Sequence, residues 1–285
     1  MKRILFILLI ALSACSQTTQ NKKPLVAVSI VPQQYFVKSI ADTLVDVLVL
    51  VEPGASPELY ELRPAQMAAL AKASAWFGIG KIDFEQGWKQ KILTSNPDLQ
   101  FFDTSAQADF IAEEVRVHGD HQHLHGVDPH IWSSPKEGLK IAHETYRALC
   151  QLLPQQEKQL TANYQQLVRK IEALDAEIQA IFDASTTKSF LIFHPSLSYL
   201  ARDYGLNQVP IEIEGKEPSP KYLQSFMQQA RSLELTRILI QKEFSKTTAA
   251  QLAKEINGKL VEINPLGENW CDEIRQIART IAQKN

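Results

Sequence analysis

Short apolar runs alternate with helix-like periodicities along the first part of the chain. The run 44–51, Leu-Val-Asp-Val-Leu-Val-Leu-Val, is rich in β-branched residues and almost entirely apolar, which is typical of a strand buried on both faces. Further strands are predicted at 25–30, 75–79 and 99–102, and helices at 33–41, 64–74 and 136–153. The stretch from 80 to 98 is less regular and gives no predicted element.

Residues 155–183 have a different pattern, because they contain no Gly or Pro and their apolar side chains recur at three- and four-residue steps. This periodicity predicts one continuous amphipathic helix, about 43 Å long at 1.5 Å per residue. Such a helix can cross a two-lobed molecule. A coiled-coil dimer is the competing interpretation, but Gln and Tyr in the seam would make a poor zipper.

The alternation resumes after this helix. Strands are predicted at 189–193, 208–213, 237–241 and 259–263, and helices at 196–204, 220–232, 246–257 and 268–283. The sequence therefore predicts an α/β fold of two lobes with mostly parallel sheets, joined by one long interdomain helix. We expect an N-terminal α/β lobe at 24–153, the linking helix at 154–185 and a C-terminal α/β lobe at 186–285.

The N-terminal residues lie outside this alternation. Lys2 and Arg3 precede the apolar run 4–12, which is too short to span a bilayer at about 20 residues. The following Leu-Ser-Ala-Cys sequence, ending at Cys15, resembles a bacterial lipobox, in which the cysteine is lipidated. An ordinary signal peptide cut near Cys15 is the alternative. We expect a lipoprotein signal peptide at 1–14 and a polar tether at 15–23.

Composition narrows the class of protein. The chain has 285 residues, 45% hydrophobic and 22% charged, which is an ordinary globular mixture. A net charge of −2 gives no electrostatic case for nucleic acid. In an exported protein Cys150 and Cys271 could form a disulfide, or both could be buried free thiols, and the sequence leaves this open.

Candidate chemistry is concentrated in the histidines. One group lies in a polar, Gly-containing segment and consists of His118, His121, His123 and His125. Imidazole suits zinc, copper, nickel and iron, and a flexible loop of this kind binds such ions loosely. We therefore expect an auxiliary metal site here. A solvated loop without a selected role is the alternative.

Two further histidines lie beside prolines. His130 follows Asp128 and Pro129, where the proline restrains the aspartate to extended geometry, and the nearby Trp132 anchors the segment by burial. His194 ends the predicted strand 189–193, and ligand sites in α/β sheets lie outside the carboxyl ends of strands. Taken alone, either histidine is more often structural than a metal ligand.

Several segments together carry a resemblance to a known family. They are Ser29-Ile30-Val31-Pro32, Pro53-Gly54-Ala55-Ser56-Pro57-Glu58-Leu59-Tyr60, Arg63-Pro64, Asp128-Pro129-His130-Ile131-Trp132, Phe193-His194, Tyr204-Gly205-Leu206, Glu217-Pro218-Ser219 and Phe244-Ser245. In this order and spacing the chain resembles the zinc and manganese ABC-transporter solute-binding proteins, the cluster A-I (cluster 9) metal-binding lipoproteins. The histidine-rich segment resembles the zinc-type members.

The resemblance implies a ligand set. His130 matches the family's second ligand and His194 its third, whereas Glu58 stands where the family usually has its first histidine. Asn264 takes the place of an aspartate in manganese-type members and is a weak candidate, because its carbonyl oxygen is neutral. A carboxylate can replace imidazole on zinc at about 2.0–2.2 Å. The alternative for Glu58 is a surface carboxylate, with Glu217 as the fallback ligand.

The resemblance also implies a function. We expect a non-enzymatic, extracytoplasmic component of an ABC importer that captures Zn²⁺ between its lobes, with Mn²⁺ and Fe²⁺ as alternatives. Its partners would be a membrane permease and, through the lipid anchor, the membrane itself. We expect a monomer. Two other classes stay open: a metalloenzyme with a two-histidine-one-carboxylate site, and a siderophore or cobalamin binder. The sequence contains no His-Glu-x-x-His, Gly-x-Ser-x-Gly or P-loop motif.

Overall fold

The computed structural model describes residues 23–112, 126–212 and 219–283. Within them the chain forms two four-stranded parallel sheets, with strand orders β2-β1-β3-β4 and β6-β5-β7-β8. The first sheet comprises β1 (Leu25–Val28), β2 (Asp46–Val49), β3 (Ala75–Gly78) and β4 (Gln100–Asp103). The helices of this part are α1 (Val31–Ala41), α2 (Pro64–Leu70), α3 (Asp83–Ser95) and α4 (Pro135–Leu152).

The second sheet follows the long helix α5 (Glu157–Ala184). Its strands are β5 (Ser189–Ile192), β6 (Asn207–Pro210), β7 (Arg237–Gln241) and β8 (Lys259–Ile263). The helices that alternate with them are α6 (Ser198–Tyr204), α7 (Pro220–Ser232), α8 (Lys246–Glu255) and α9 (Trp270–Ala282). The predicted α/β class with two parallel sheets and a long connecting helix is confirmed.

Helices α5 and α9 hold the two sheets in one body. The apolar stripe of α5, which includes Leu167, Ile171 and Ile178, is buried, and the helix contacts α1, α4 and α9. Trp270 at the start of α9 is fully buried, with its ring centroid 4.8 Å from that of Phe36 on α1. The last helix therefore packs into the core of the first sheet.

The structure differs from the predicted elements in the least regular stretch. Helix α3 occupies residues that gave no predicted element, because its apolar side chains are sparse and Gly87 lies in its middle. It is held instead by the burial of Phe84 and Ile92.

Cys150 and Cys271 are both free thiols. A search of the described helices finds none that combines the length and apolarity needed to cross a bilayer.

Candidate metal centre

Glu58 lies in the irregular segment between β2 and α2. A buried glutamine, Gln66, holds this segment through its side-chain amide, which donates to the carbonyl of Leu50 at 2.6 Å and to the hydroxyl of Tyr60 at 2.7 Å. The ring of Tyr60 makes an edge contact with Phe84 on α3. The loop is thus fixed on both sides of Glu58, whose side chain is 22% exposed.

His130 is presented by the Asp-Pro-His-Ile-Trp segment that leads into α4. The carboxylate of Asp128 accepts hydrogen bonds at 2.8 Å from both the backbone N–H and Nδ1 of His130. This contact assigns the Nδ1–H tautomer and leaves Nε2 as a free lone pair. The hydroxyl of Tyr199 on α6 donates to the Asp128 carbonyl at 2.5 Å, so a residue of the second lobe fixes the first-lobe ligand.

His194 follows β5, one of the two inner strands of the second sheet, and thus stands at the end of a strand as predicted. Its Nδ1 lies 3.1 Å from Oε2 of Glu212, which follows the neighbouring strand β6. On the other side, the side-chain amide of Gln241 donates to the His194 carbonyl at 2.6 Å. The ring of Phe244 stacks on the imidazole, with centroids 5.0 Å apart. The carboxyl ends of three adjacent strands therefore position this one histidine.

The three side chains bring one ligand atom each to a common point. Oε1 of Glu58 lies 3.0 Å from Nε2 of His194 and 3.7 Å from Nε2 of His130. The two Nε2 atoms are 3.2 Å apart. Within the part of the chain that the structure describes, this is the group of His, Cys, Asp and Glu side chains with the geometry to hold a metal ion.

Acidic side chains dominate the electrostatics of this cluster. Burial opposes ionisation of Glu58, but the hydrogen bond from His194 and the fields of both histidines hold the pKa of Glu58 below its usual value. Burial also disfavours a charged His194, yet its hydrogen bonds to Glu212 and Glu58 raise the pKa of His194 to about 9. With no metal bound, a proton on His194 therefore compensates part of the negative charge.

The cavity around the cluster is small. It has a volume of about 20 Å³, and its wall includes Trp132, Glu243, Phe244 and Leu266 besides the three ligand residues. A single water needs roughly 10–15 Å³ measured in this way. The space suits one ion with at most a water or two, and it is too small for an organic molecule.

The structure brings Glu58, His130 and His194 together. Asn264 does not line the cavity, although its neighbours Pro265 and Leu266 do, and its side-chain amide nitrogen donates to Oε1 of Glu273 on α9 at 3.3 Å. A part of the predicted set lies outside the described residues, namely Cys15, His118, His121, His123, His125 and Glu217.

Three residues around His194 and the cavity had no predicted role. Glu212 contacts the Nδ1 atom of His194, and Gln241 and Glu243 line the cavity. Their common signal is position, because each stands at or just beyond the carboxyl end of a strand next to that of His194. In the sequence, this rule pointed to His194 alone.

Known metal-binding proteins resemble this chain over most of its length. The chain is 28% identical to a Chlamydia trachomatis protein named for metal binding, over 98% of this chain and 99% of that protein. It is 25% identical to the zinc-binding lipoprotein AdcA of Streptococcus pneumoniae, over 95% of this chain, and spans 58% of the length of AdcA.

A solved structure matches more closely in sequence. The crystal structure of a ZnuA deletion mutant with zinc bound has a TM-score of 0.84 and 34% identity, over 91% of this chain and 96% of that one. The family described as the zinc-uptake complex component A, periplasmic, matches residues 26–284. The chain therefore belongs to this ZnuA family, which confirms the resemblance found in its sequence.

Proposed function

We propose that this protein captures Zn²⁺ between its two lobes and delivers it to a membrane ABC permease outside the cytoplasm. Glu58, His130 and His194 would hold the ion. Zinc is the first choice because two imidazoles and one carboxylate are among its ordinary ligands. Mn²⁺ and Fe²⁺ accept similar donors and remain competitors. The zinc-bound ZnuA structure and the name of AdcA support this choice.

The spacing of the three ligand atoms is the observation that carries the proposal. Zinc bonds of about 2.0–2.1 Å in a tetrahedron separate neighbouring ligand atoms by about 3.3–3.4 Å. The distances between Oε1 of Glu58 and the two Nε2 atoms, and between those nitrogens, are 3.0, 3.7 and 3.2 Å. These values bracket the tetrahedral edge, so a metal can be seated with shifts of a few tenths of an ångström.

The ligands are also oriented for this role. Each imidazole has its Nδ1 beside a carboxylate, Asp128 for His130 and Glu212 for His194, so that Nε2 faces the common point. Such carboxylate–histidine pairs hold the ring and increase its basicity as a ligand. The cavity volume of about 20 Å³ disfavours both a siderophore or cobalamin ligand and an enzyme that admits an organic substrate.

The membrane location is proposed from the sequence. Lipidation at Cys15 would hold the protein near the permease, and residues 15–23 would act as a tether. The family's periplasmic description and the lipoprotein name of AdcA support this part of the proposal. We further propose that the His118–His125 segment is an auxiliary low-affinity site and that the protein acts as a monomer.

Metal titration of single variants tests the proposal. Glu58→Ala, His130→Ala and His194→Ala should each reduce tight zinc binding and the metal-induced rise in melting temperature. For the wild type that rise should correspond to about 2.7 kcal/mol when free zinc is a hundred times Kd. The melting temperature of the metal-free variants should change little.

His143→Ala is the matched control. This histidine lies on α4 with a side chain that is 40% exposed, outside the cluster. Its removal should leave the one tightly bound zinc equivalent intact. If His130→Ala and His194→Ala both bind zinc as tightly as the wild type, zinc binds elsewhere.

A further inference from the structure

The three ligands leave one position of a tetrahedral metal unfilled. Asn264, which the family resemblance suggests for this place, does not line the cavity, and its amide nitrogen donates to Glu273. The cavity wall contains one further carboxylate besides Glu58, that of Glu243. This residue follows β7, two positions after Gln241.

The backbone around Glu243 is fixed relative to His194. Gln241 exchanges hydrogen bonds with the backbone of His194, donating to its carbonyl and accepting from its N–H at 3.4 Å. On the other side, Phe244 stacks on the imidazole at an interplanar angle of 23°. A rotation of the Glu243 side chain is therefore enough to change its distance from an ion on His194, without movement of the main chain.

The Glu243 carboxylate has no ion pair with any residue that the structure describes. The neighbouring cation Lys246 pairs with Glu262 at 2.5 Å. Glu243 is half-buried, and burial raises its pKa although the charges of His194 and Lys242 act in the opposite direction. A partly desolvated carboxylate without a counter-ion is costly, and a divalent ion in the same cavity would remove this cost.

We propose that Glu243 turns onto the captured ion and supplies its fourth ligand. This inference rests on the proposed function of the site. In the structure the carboxylate oxygens of Glu243 lie outside the three-residue cluster, so binding to the ion would require rotation of the Glu243 side chain. Two neutral imidazoles and two carboxylates then balance the charge of a divalent ion. The second oxygen donor makes the site more suitable for Mn²⁺ than a set with a single carboxylate.

Competition titrations with zinc and manganese test the role of Glu243. Glu243→Ala and the isosteric Glu243→Gln should weaken zinc by more than about tenfold, since even an outer contact is worth that much. The affinity for manganese should decrease by a larger factor than the affinity for zinc. Glu262→Ala is the control, because it removes a negative charge from the same lobe at an exposed position and should change both affinities by less than about twofold.

The zinc-loaded crystal structure gives a second readout that does not depend on folding of the variants. We expect an oxygen of Glu243 at about 2.0–2.2 Å from the metal. Wild-type affinities in both Glu243 variants, or a water at the fourth position with Glu243 turned away, would overturn the proposal. If the Glu243 proposal fails in this way but His194→Ala loses zinc binding in the same experiment, the proposed metal site at Glu58, His130 and His194 is still supported.

Discussion

Trp270 connects the last helix to the metal-binding segment, and its removal should strongly lower the free energy of unfolding. The side chain is fully buried, its ring lies 4.8 Å from that of Phe36, and its Nε1 donates to the carbonyl of Trp132 at 2.6 Å. Helix α4 is in close contact with the indole, because a methyl group added to its Gly138 would lie 2.4 Å from the ring. This helix cannot fill the void left by a truncated Trp270 without moving.

Two substitutions separate the contributions of ring and hydrogen bond. Trp270→Ala should cost about 3–5 kcal/mol, the usual range for truncating a buried aromatic residue. Trp270→Phe keeps most of the ring but leaves the buried Trp132 carbonyl without its donor, which should lower the free energy of unfolding by about 1–3 kcal/mol. At roughly 2–4 °C per kcal/mol for a chain of this size, Trp270→Ala should lower the melting temperature by about 6–20 °C.

Thermal and urea unfolding of the metal-free protein measure these differences. Trp88→Ala is the control, because Trp88 on α3 is only partly buried and lies under Lys91 at 4.5 Å. It should cost less than half as much as Trp270→Ala. If Trp270→Ala melts within about 2 °C of the wild type, the conclusion that α9 joins the two lobes through this contact is wrong.

The remaining predictions concern protons, the histidine segment and the anchor. Because its carboxylate partners raise the pKa of His194 to about 9, zinc must displace a proton at pH 7.5. Calorimetry in buffers of different ionisation enthalpy should show about one proton released, and affinity should fall about tenfold per pH unit below 9; release of none would contradict this. Burial raises the pKa of Glu85 to about 7, so folding retains a proton that the unfolded chain loses near 4.5. The contribution of Glu85 to stability should therefore be greatest below pH 4.5 and decrease by about 3 kcal/mol as the pH rises to 7, and urea unfolding of Glu85→Gln should lack this part of the pH dependence. Deletion of residues 118–125 should remove weak zinc equivalents in calorimetry and leave the tight one, whose loss would place the main site in that segment. Cys15→Ala should abolish lipidation, and a variant that still partitions with membranes would refute the anchor.

The fold could be predicted from local pattern because each element carries its own periodicity. The β-branched run at 44–51 contains β2, and the three- and four-residue repeat at 155–183 coincides with α5 within a few residues. Helix α3 could not be predicted in this way, because Gly87 and its scarce apolar positions give a weak repeat. Its stability comes from tertiary burial of Phe84 and Ile92, which no local window contains.

The candidate site divides along the same line. The sequence by itself determined which side chains carry suitable chemistry: His130 beside an Asp-Pro turn, His194 at the end of a strand, and Glu58 in a loop with a family resemblance. Only the tertiary structure brought their ligand atoms within 3.0–3.7 Å of one another and paired the amide nitrogen of Asn264 with Glu273. The physical reason is that residue type and period are local properties. The direction of a side chain at the end of a strand, in contrast, is set by neighbours from distant segments, as Glu212 and Phe244 set that of His194.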